Sequence, residues 1–144
     1  MLAKLEIADL KKGFLIERMS GFLEIDKVIQ QELWNESNFL SDLPNKWDLS
    51  LIAMFNKKLI GYLIASRKEF SVHIHRLAIA QKFQSDGVGR AMVLRLTEKV
   101  ESFKLPIMLK VHQENIRAVK FYQKLGFKNV GKSRTNIEMQ YLTG

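Results

Sequence analysis

Val72-His-Ile-His-Arg-Leu-Ala-Ile-Ala80 is an apolar, strand-like run; Gln84-Ser-Asp-Gly-Val-Gly-Arg90 follows it and opens into a helical pattern starting at Val88. A strand that feeds a glycine-containing turn at a helix N-terminus makes an anion site. The first backbone N–H groups of a helix have no internal acceptor, and the aligned peptide dipoles put partial positive charge there. Gly87 and Gly89 lack Cβ atoms, so the turn can take positive φ and a phosphate can approach the main chain. Gly-x-Gly also occurs in plain turns, so the rest of the chain has to decide between the two readings.

The chain has 144 residues, 47% of them apolar and 26% charged, with no cysteine. This fits one globular domain, residues 1–144, with a sizeable core. Without cysteine there is no disulfide, thiolate nucleophile or cysteine metal site, and no metal is expected. No run approaches the length of a membrane span, and Met1-Leu-Ala-Lys-Leu-Glu6 is charged too early for a secretory signal. A cytoplasmic location without a membrane partner is expected. The net charge of +8 raises the question of polyanions. Lysines and arginines are dispersed, however, with short pairs such as Lys11-Lys12 and Lys57-Lys58 rather than a basic arm. A nucleic-acid partner is therefore not expected, and the basic surface serves a small phosphorylated ligand equally well. A homodimer stays open.

No internal repeat, low-complexity tract or Gly/Ser linker interrupts the chain. A first strand is expected at about Ala3–Ile7. Asp9 stands where it can cap a helix reaching about Ser20, with Leu10, Phe14 and Leu15 apolar and Gly21 as the stop. A second helix is expected from about Ile25 to Trp34. The polar segment Asn35–Trp47, with Pro44, reads as a loop; its aromatics Trp34, Phe39 and Trp47 can be core or can cover a ligand. From Leu49 the pattern changes to strands. Ser50–Phe55 and Leu59–Ser66 flank a short hairpin loop, and Phe70–Ala80 makes a third strand. Val88, Met92, Leu96, Val100 and Phe103 recur at helical spacing. Pro106 can start the next strand, Ile107–Val111. A helix at about Ile116–Leu125 ends at Gly126, and Phe127–Val130 and Asn136–Leu142 close the order as strands. The pattern is mixed α+β around one sheet.

Leu77-Ala78-Ile79, Gln84-x-x-Gly87-x-Gly89 and Asn115-x-x-Ala118-x-x-Phe121-Tyr122-x-x-x-Gly126-Phe127 together resemble the GNAT superfamily of acyl-CoA-dependent N-acetyltransferases. The resemblance runs from about Leu59 to Val130, with two separate motifs in the family's order. It implies a single GNAT-like domain: a mostly antiparallel central sheet, helices on both faces, and a splayed strand pair that binds CoA. It also implies acetyl-CoA as co-substrate and a small-molecule or peptide amine as acceptor. In that family the strand ending at Ile79 parts from the strand ending at Val111. The pantetheine arm then pairs with the main-chain groups left free, which implies cofactor contacts for Leu77, Ala78 and Ile79. The turn formed by Gln84, Ser85, Asp86, Gly87, Val88, Gly89, Arg90 and Ala91 is implied to donate N–H groups to the pyrophosphate. Asp86 departs from the pattern, since a carboxylate repels a pyrophosphate, and its side chain is expected to face solvent and favour the helix N-terminus. Asn115 can cap its helix or, as the family implies, bond the pantetheine amides. Ala118 belongs to the same implied set. Arg117 and Lys120 are candidates for CoA phosphates or for a plain solvated face.

The resemblance also places Tyr122 against the cofactor as the acid that protonates the departing thiolate; the competing reading is a core aromatic. An ammonium acceptor needs a general base. Several family members carry a carboxylate or histidine on the strand before the second helix, where this chain has Lys110, so Lys110 is expected to line the acceptor site instead. His73 and His75 alternate with Ile74 and are expected on the same side as Leu77 and Ile79, unless a bulge reverses the parity. Both are candidate bases, and His112 is a third. The expected activity is acetyl transfer to a primary amine by direct attack in a ternary complex, since no cysteine can carry the acyl group. The alternative is a CoA-binding module with little or no transfer.

Overall fold

A computed structural model of the chain describes residues 4–143. Strands β1 (Leu5–Asp9), β2 (Leu51–Phe55), β3 (Lys58–Arg67), β4 (Val72–Ile79), β5 (Ile107–His112), β6 (Lys128–Lys132) and β7 (Asn136–Tyr141) form one seven-stranded sheet in the order β1-β2-β3-β4-β5-β7-β6. Every neighbouring pair is antiparallel except β4 and β5. Helices α1 (Lys12–Glu17), α2 (Met19–Asp26), α3 (Glu36–Leu40) and α4 (Lys46–Leu49) precede β2; α5 (Val88–Val100) follows β4, and α6 (Ile116–Lys124) follows β5.

The β2–β3 hairpin turns on Asn56 and Lys57, both at positive φ. That pairing of left-handed residues gives the turn whose twist suits two antiparallel strands. Alternation along the strands then feeds two cores. One buries Leu51, Leu63, Ala65, Ile74 and Leu109 against Met92, Leu96 and Tyr122 of α5 and α6. The other buries Ile52, Tyr62, Ile64 and Ala78 against Leu15, Phe22 and Phe39 of α1–α3. Phe22, Phe39 and Tyr62 form a cluster with ring centroids 5.3–5.9 Å apart, a spacing at which offset and edge contacts are favourable.

The N-terminal third differs most from the sequence reading. Ala3, assigned above to the first strand, lies outside the described residues; the strand runs to Asp9. Asp9 is thus a strand residue, not a helix cap, and it takes an ion pair from Lys99 on α5. The helix expected to run on to Ser20 breaks at Arg18 into α1 and α2. The second helix expected at Ile25–Trp34 does not form, because α2 ends at Asp26 and a turn follows. Asn35–Trp47 is not all loop: Asn35 accepts the Asn38 N–H at 3.0 Å and Asn38 returns the bond at 2.8 Å. This reciprocal cap starts α3.

One irregularity positions everything downstream. Ile64 lies opposite Arg76 while Ala65 lies opposite Ile74, so His75 is an extra residue, a β-bulge. A bulge bends its strand and can end a pairing. β4 accordingly stays beside β5 only over Val72–Ile74 with Ile107–Leu109, then departs from it. The bulge also corrects the parity expected above. Ile74, Leu77 and Ile79 all pack toward α5 and α6, while His73 and His75 point to the opposite face, where Ser66 and Arg76 lie.

Candidate active site

Where β4 and β5 separate, two clefts meet. The larger, about 1220 Å³, runs between α5, α6 and the segment from the end of α2, and the smaller, about 310 Å³, lies along β5 and the histidines of β4. Ile29, Gln31, Leu77, Asn115, Ala118 and Tyr122 line both, so the split in the sheet is a passage between them.

The N–H of Ala80 donates to the Ile60 carbonyl at 2.7 Å. Alternation along β4 therefore turns the main-chain groups of Leu77 and Ile79 away from β3, toward the opening that β5 has vacated. The Ile79 carbonyl is taken by the Gln84 side chain at 3.0 Å, so Gln84 ties the turn to the strand end. Ser85 at φ 72° and Gly87 at φ 81° carry the chain into α5. Ala91 N–H bonds the Gly87 carbonyl at 3.0 Å; the N–H groups of Val88, Gly89 and Arg90, one turn earlier, precede any helical acceptor and stay open. A Cβ built on Gly87 meets nothing within 4 Å, so glycine serves the backbone angle there. On Gly89 it would stand 3.1 Å from Phe121, so this glycine lets α5 and α6 pack closely.

Gln84, Ser85, Gly87, Val88, Gly89 and Arg90 line the larger cleft together with Leu77, Ala78 and Ile79. Asp86 and Ala91 do not: Asp86 is exposed and makes no cap bond to α5, and the Ala91 N–H is already used. Arg117 lines the same cleft and donates to Ser85 Oγ at 2.9 Å, bracing the turn from α6; Lys120 lines it exposed. Asn115 caps α6, accepting from Ala118 N–H at 3.2 Å through Oδ1, which leaves its amide nitrogen for the passage.

Tyr122 owes its position to the end of α6. Gly126, at φ 105°, donates to the Gln123 carbonyl at 3.1 Å, and Phe127 N–H donates to the Tyr122 carbonyl at 3.0 Å. This is the glycine-closed helix end in which the residue after the glycine packs on the last turn. The Phe127 ring sits edge-on to Tyr122 at 5.3 Å. Burial raises the phenol's pKa, so it stays protonated at neutral pH. No protein group bonds its hydroxyl among the described residues, and no buried polar side-chain atom there lacks a partner; the hydroxyl opens on the clefts.

His73, His75, Lys110 and His112 line the smaller cleft. The histidine rings stack with centroids 6.1 Å apart. His75 Nε2 is 2.6 Å from Ser66 Oγ, and His73 Nε2 is 2.9 Å from Ser71 Oγ. Burial, then His73, Lys68 and Lys46, lower the His75 pKa to about 4. Burial and Lys68, with Lys110 adding to them and Glu138 opposing, lower that of His73. His112 Nδ1 accepts the Glu114 N–H at 3.1 Å.

Long-range pairing supplies residues that the sequence did not single out. Glu138 on β7 lies directly across from Lys110. Asp26, 1% exposed, accepts from Arg76 Nε at 2.8 Å, from Arg76 Nη2 at 2.9 Å, from Trp34 N–H at 3.0 Å and from the Tyr62 hydroxyl. Arg76 also lies over the Trp34 ring, 5.5 Å from its centroid. This bidentate pair fastens the end of α2 and the following turn, which carries Ile29 and Gln31, to the sheet beside the bulge. Lys46, 1% exposed, fixes the α3 end by donating to the Phe39 and Ser41 carbonyls at 2.6 and 2.5 Å.

The profile of the acetyltransferase (GNAT) family matches residues 19–127. The crystal structure of the ribosomal-protein-S18-alanine N-acetyltransferase of Escherichia coli superposes with a TM-score of 0.82 at 20% identity, covering 98% of this chain and 95% of that one. The PaiA N-acetyltransferase of Thermoplasma acidophilum, in complex with coenzyme A, superposes with a TM-score of 0.78 at 19% identity over 96% and 99% of the two chains. At such identities the likeness is one of fold. A curated relative, an uncharacterized protein of Mycobacterium leprae, is 26% identical over 102 residues, 68% of this chain; the alignment spans only 28% of that relative's length.

Proposed function

Since the chain belongs to the acetyltransferase (GNAT) family, we propose that it moves the acetyl group of acetyl-CoA to a primary amine by direct attack in a ternary complex. The observation that carries this reading is the passage at Tyr122, where the larger and smaller clefts meet through the gap between β4 and β5. The larger cleft suits acetyl-CoA: the main-chain groups of Leu77 and the Ile79 N–H for the pantetheine, open N–H groups at Val88–Arg90 for the pyrophosphate, and Arg117 and Lys120 for further phosphate charge. Acetyl-CoA supplies the activated acyl group.

The residues then divide the work. The Ile79 N–H polarises the acyl oxygen, as an oxyanion donor does. Asn115 orients the pantetheine through its free amide nitrogen. Tyr122 donates its proton to the sulfur as the carbon–sulfur bond breaks and the nitrogen–carbon bond forms. Burial keeps this phenol protonated, and the same dry passage raises the proton affinity of a thiolate, so the two remain matched. The amine's proton leaves through His73, directly or by a water. His75, held near 4, is too weak a base, and its bond to Ser66 makes it a support for the His73 ring. Without cysteine the chain carries no thiolate nucleophile, which favours direct transfer.

Acetyl-CoA with a panel of amines and peptides, read by thiol release, tests the proposal. Turnover of any amine supports it. Cofactor binding without turnover of any amine would return the chain to the reading of a CoA-binding module. The pH profile of kcat/KM tests the base: its rising limb should contain a group below 6.5 that disappears in His73→Ala. An unchanged limb eliminates His73 and leaves the proton to water or to an amine already neutral when it binds.

A further inference from the structure

The charges around the smaller cleft are unevenly spent. Among the charged side chains that line it, Arg76 is committed to Asp26, which leaves Lys68, Lys110 and Glu32. Neither lysine has a carboxylate within ion-pair distance among the described residues. Lys68 follows β3 on the turn into β4, and Lys110 stands on β5, so the two ammonium groups flank the His73 strand from both sides. The carboxylate best placed to neutralise Lys110 is its cross-strand neighbour Glu138. Glu138 makes no ion pair with Lys110 and does not line the cleft, although its charge reaches His73. Both histidines are neutral at neutral pH and cannot reduce the excess. Burial first, then Lys68, lower the His73 pKa; Glu138 opposes them by more than Lys110 adds, so at His73 it is Lys68 whose charge is felt most.

The lysines line the smaller cleft alone, whereas Tyr122 and Asn115 line both clefts. An acceptor whose amine reaches the passage therefore lays the rest of its length past two unpaired ammonium groups and one carboxylate, Glu32, which leaves the lining one positive charge in excess. On the reading of the protein as an amine acetyltransferase, we propose that its acceptor carries a carboxylate or phosphate in the same molecule as the amine, held by Lys68 and Lys110. The same lysines discriminate against polyamines and other acceptors with a second positive charge. Specificity then comes as much from repulsion as from attraction. Lys110, on β5, also disfavours the charged form of a bound amine and so eases its deprotonation.

Matched acceptors that differ in one charged group test the inference. In 4-aminobutyrate against putrescine a carboxylate replaces a second ammonium; in phosphoethanolamine against ethanolamine a phosphate is added. Dipeptides with Glu or Lys after a common first residue extend the comparison. Both lysines are exposed, so we expect kcat/KM to favour the anionic member by about 2- to 10-fold, the range for one or two exposed charge contacts. Lys110→Glu and Lys68→Glu should each reverse or abolish that order while leaving the melting shift by CoA intact. The first two pairs also separate carboxylate from phosphate. Equal or better use of the cationic members, or a preference insensitive to both lysine substitutions, overturns the inference. If no amine turns over, the transfer reading fails, and the charge inference is still decided by equilibrium binding. Titration of the His73 and His75 ring resonances with phosphoethanolamine, ethanolamine and putrescine should then show saturation by phosphoethanolamine alone. Saturation by putrescine, or no shift with any of the three, overturns it.

Discussion

The two sides of the sheet are built by different means. On the α5–α6 side, neighbours in sequence are neighbours in space. The turn at Ser85 and Gly87 leads straight into α5, Asn115 caps its own helix, and Gly126 locks Tyr122 four residues earlier. On the α1–α4 side, order comes from distant partners. Asp26 meets Tyr62 and Arg76 across 36 and 50 residues. On the proposed function, the first side is a local device for a fixed cofactor, and the second, an assembly of separate segments, holds the acceptor side of the passage. Substitutions on the first side should therefore act on chemistry and cofactor binding, and those on the second on stability and acceptor affinity together.

The largest effect that tests this contrast is expected at Tyr122. Tyr122→Phe keeps the ring against Phe121 and Phe127 and removes only the proton donor. Turnover should fall by about 10²–10⁴-fold with cofactor affinity unchanged. Steady-state kinetics with chemistry rate-limiting, beside calorimetric CoA binding, measures both; near-normal turnover makes Tyr122 a core aromatic.

Next comes the buried pair on the other side. Asp26→Ala strands the Arg76 guanidinium and unfastens the Trp34 N–H, and should cost about 3–5 kcal/mol in urea denaturation. The double substitution Asp26→Leu with Arg76→Met should cost clearly less than Asp26→Ala, because no buried charge is left alone. In variants that stay folded, acceptor KM should rise more than cofactor Kd. An equal loss in both would mean that the two sides are not separable in this way.

Smaller effects are expected in the glycine turn. Acetyl-CoA at about one hundred times its Kd should stabilise the parent by roughly 2.7 kcal/mol, seen as a rise in Tm. Gly87→Val should lose most of that rise and cost about 1–2 kcal/mol for its left-handed angle. Gly89→Val must displace Phe121, so it should lower stability even without cofactor, by about 1–3 kcal/mol. If Gly89→Val is as stable as the parent, the close approach of α5 and α6 has been misread.

The smallest effect is a slope. His75 binds its proton more weakly folded than unfolded, with a folded pKa of about 4 against an ordinary 6.5. Between those values the unfolded chain holds more protons, so stability rises with pH through this window and is lost on acidification. His75→Gln, which can still bond Ser66, should flatten the pH dependence of the urea midpoint between about 4 and 6.5. An unaltered slope would place the acid sensitivity elsewhere.

How much of this could be read from the chain follows the same division. Helical spacing from Val88 to Val100, the strands from Leu51 to Ile79 and the helix ended by Gly126 all correspond to elements of the fold, since each is specified by residues within a few positions of one another. The turn and the capping asparagine were equally visible. The sequence could not show that α2 would stop at Asp26, because the stop depends on a carboxylate bonded to Arg76 and Trp34 after folding. Nor could it show the bulge at His75. Val72–Ile79 alternates well enough to pass for a regular strand, and only its register against β3 exposes the extra residue. That single shift turns both histidines to the face of the smaller cleft and parts β4 from β5. Glu138 was hidden for the same reason, since it meets Lys110 through a pairing between strands separated by a whole helix and hairpin. Periodicity and turn chemistry determine which elements form, because they act over one helical turn or one hairpin. Register, bulges and buried ion pairs decide which side chains share a cleft, because they depend on partners that only the folded chain brings together.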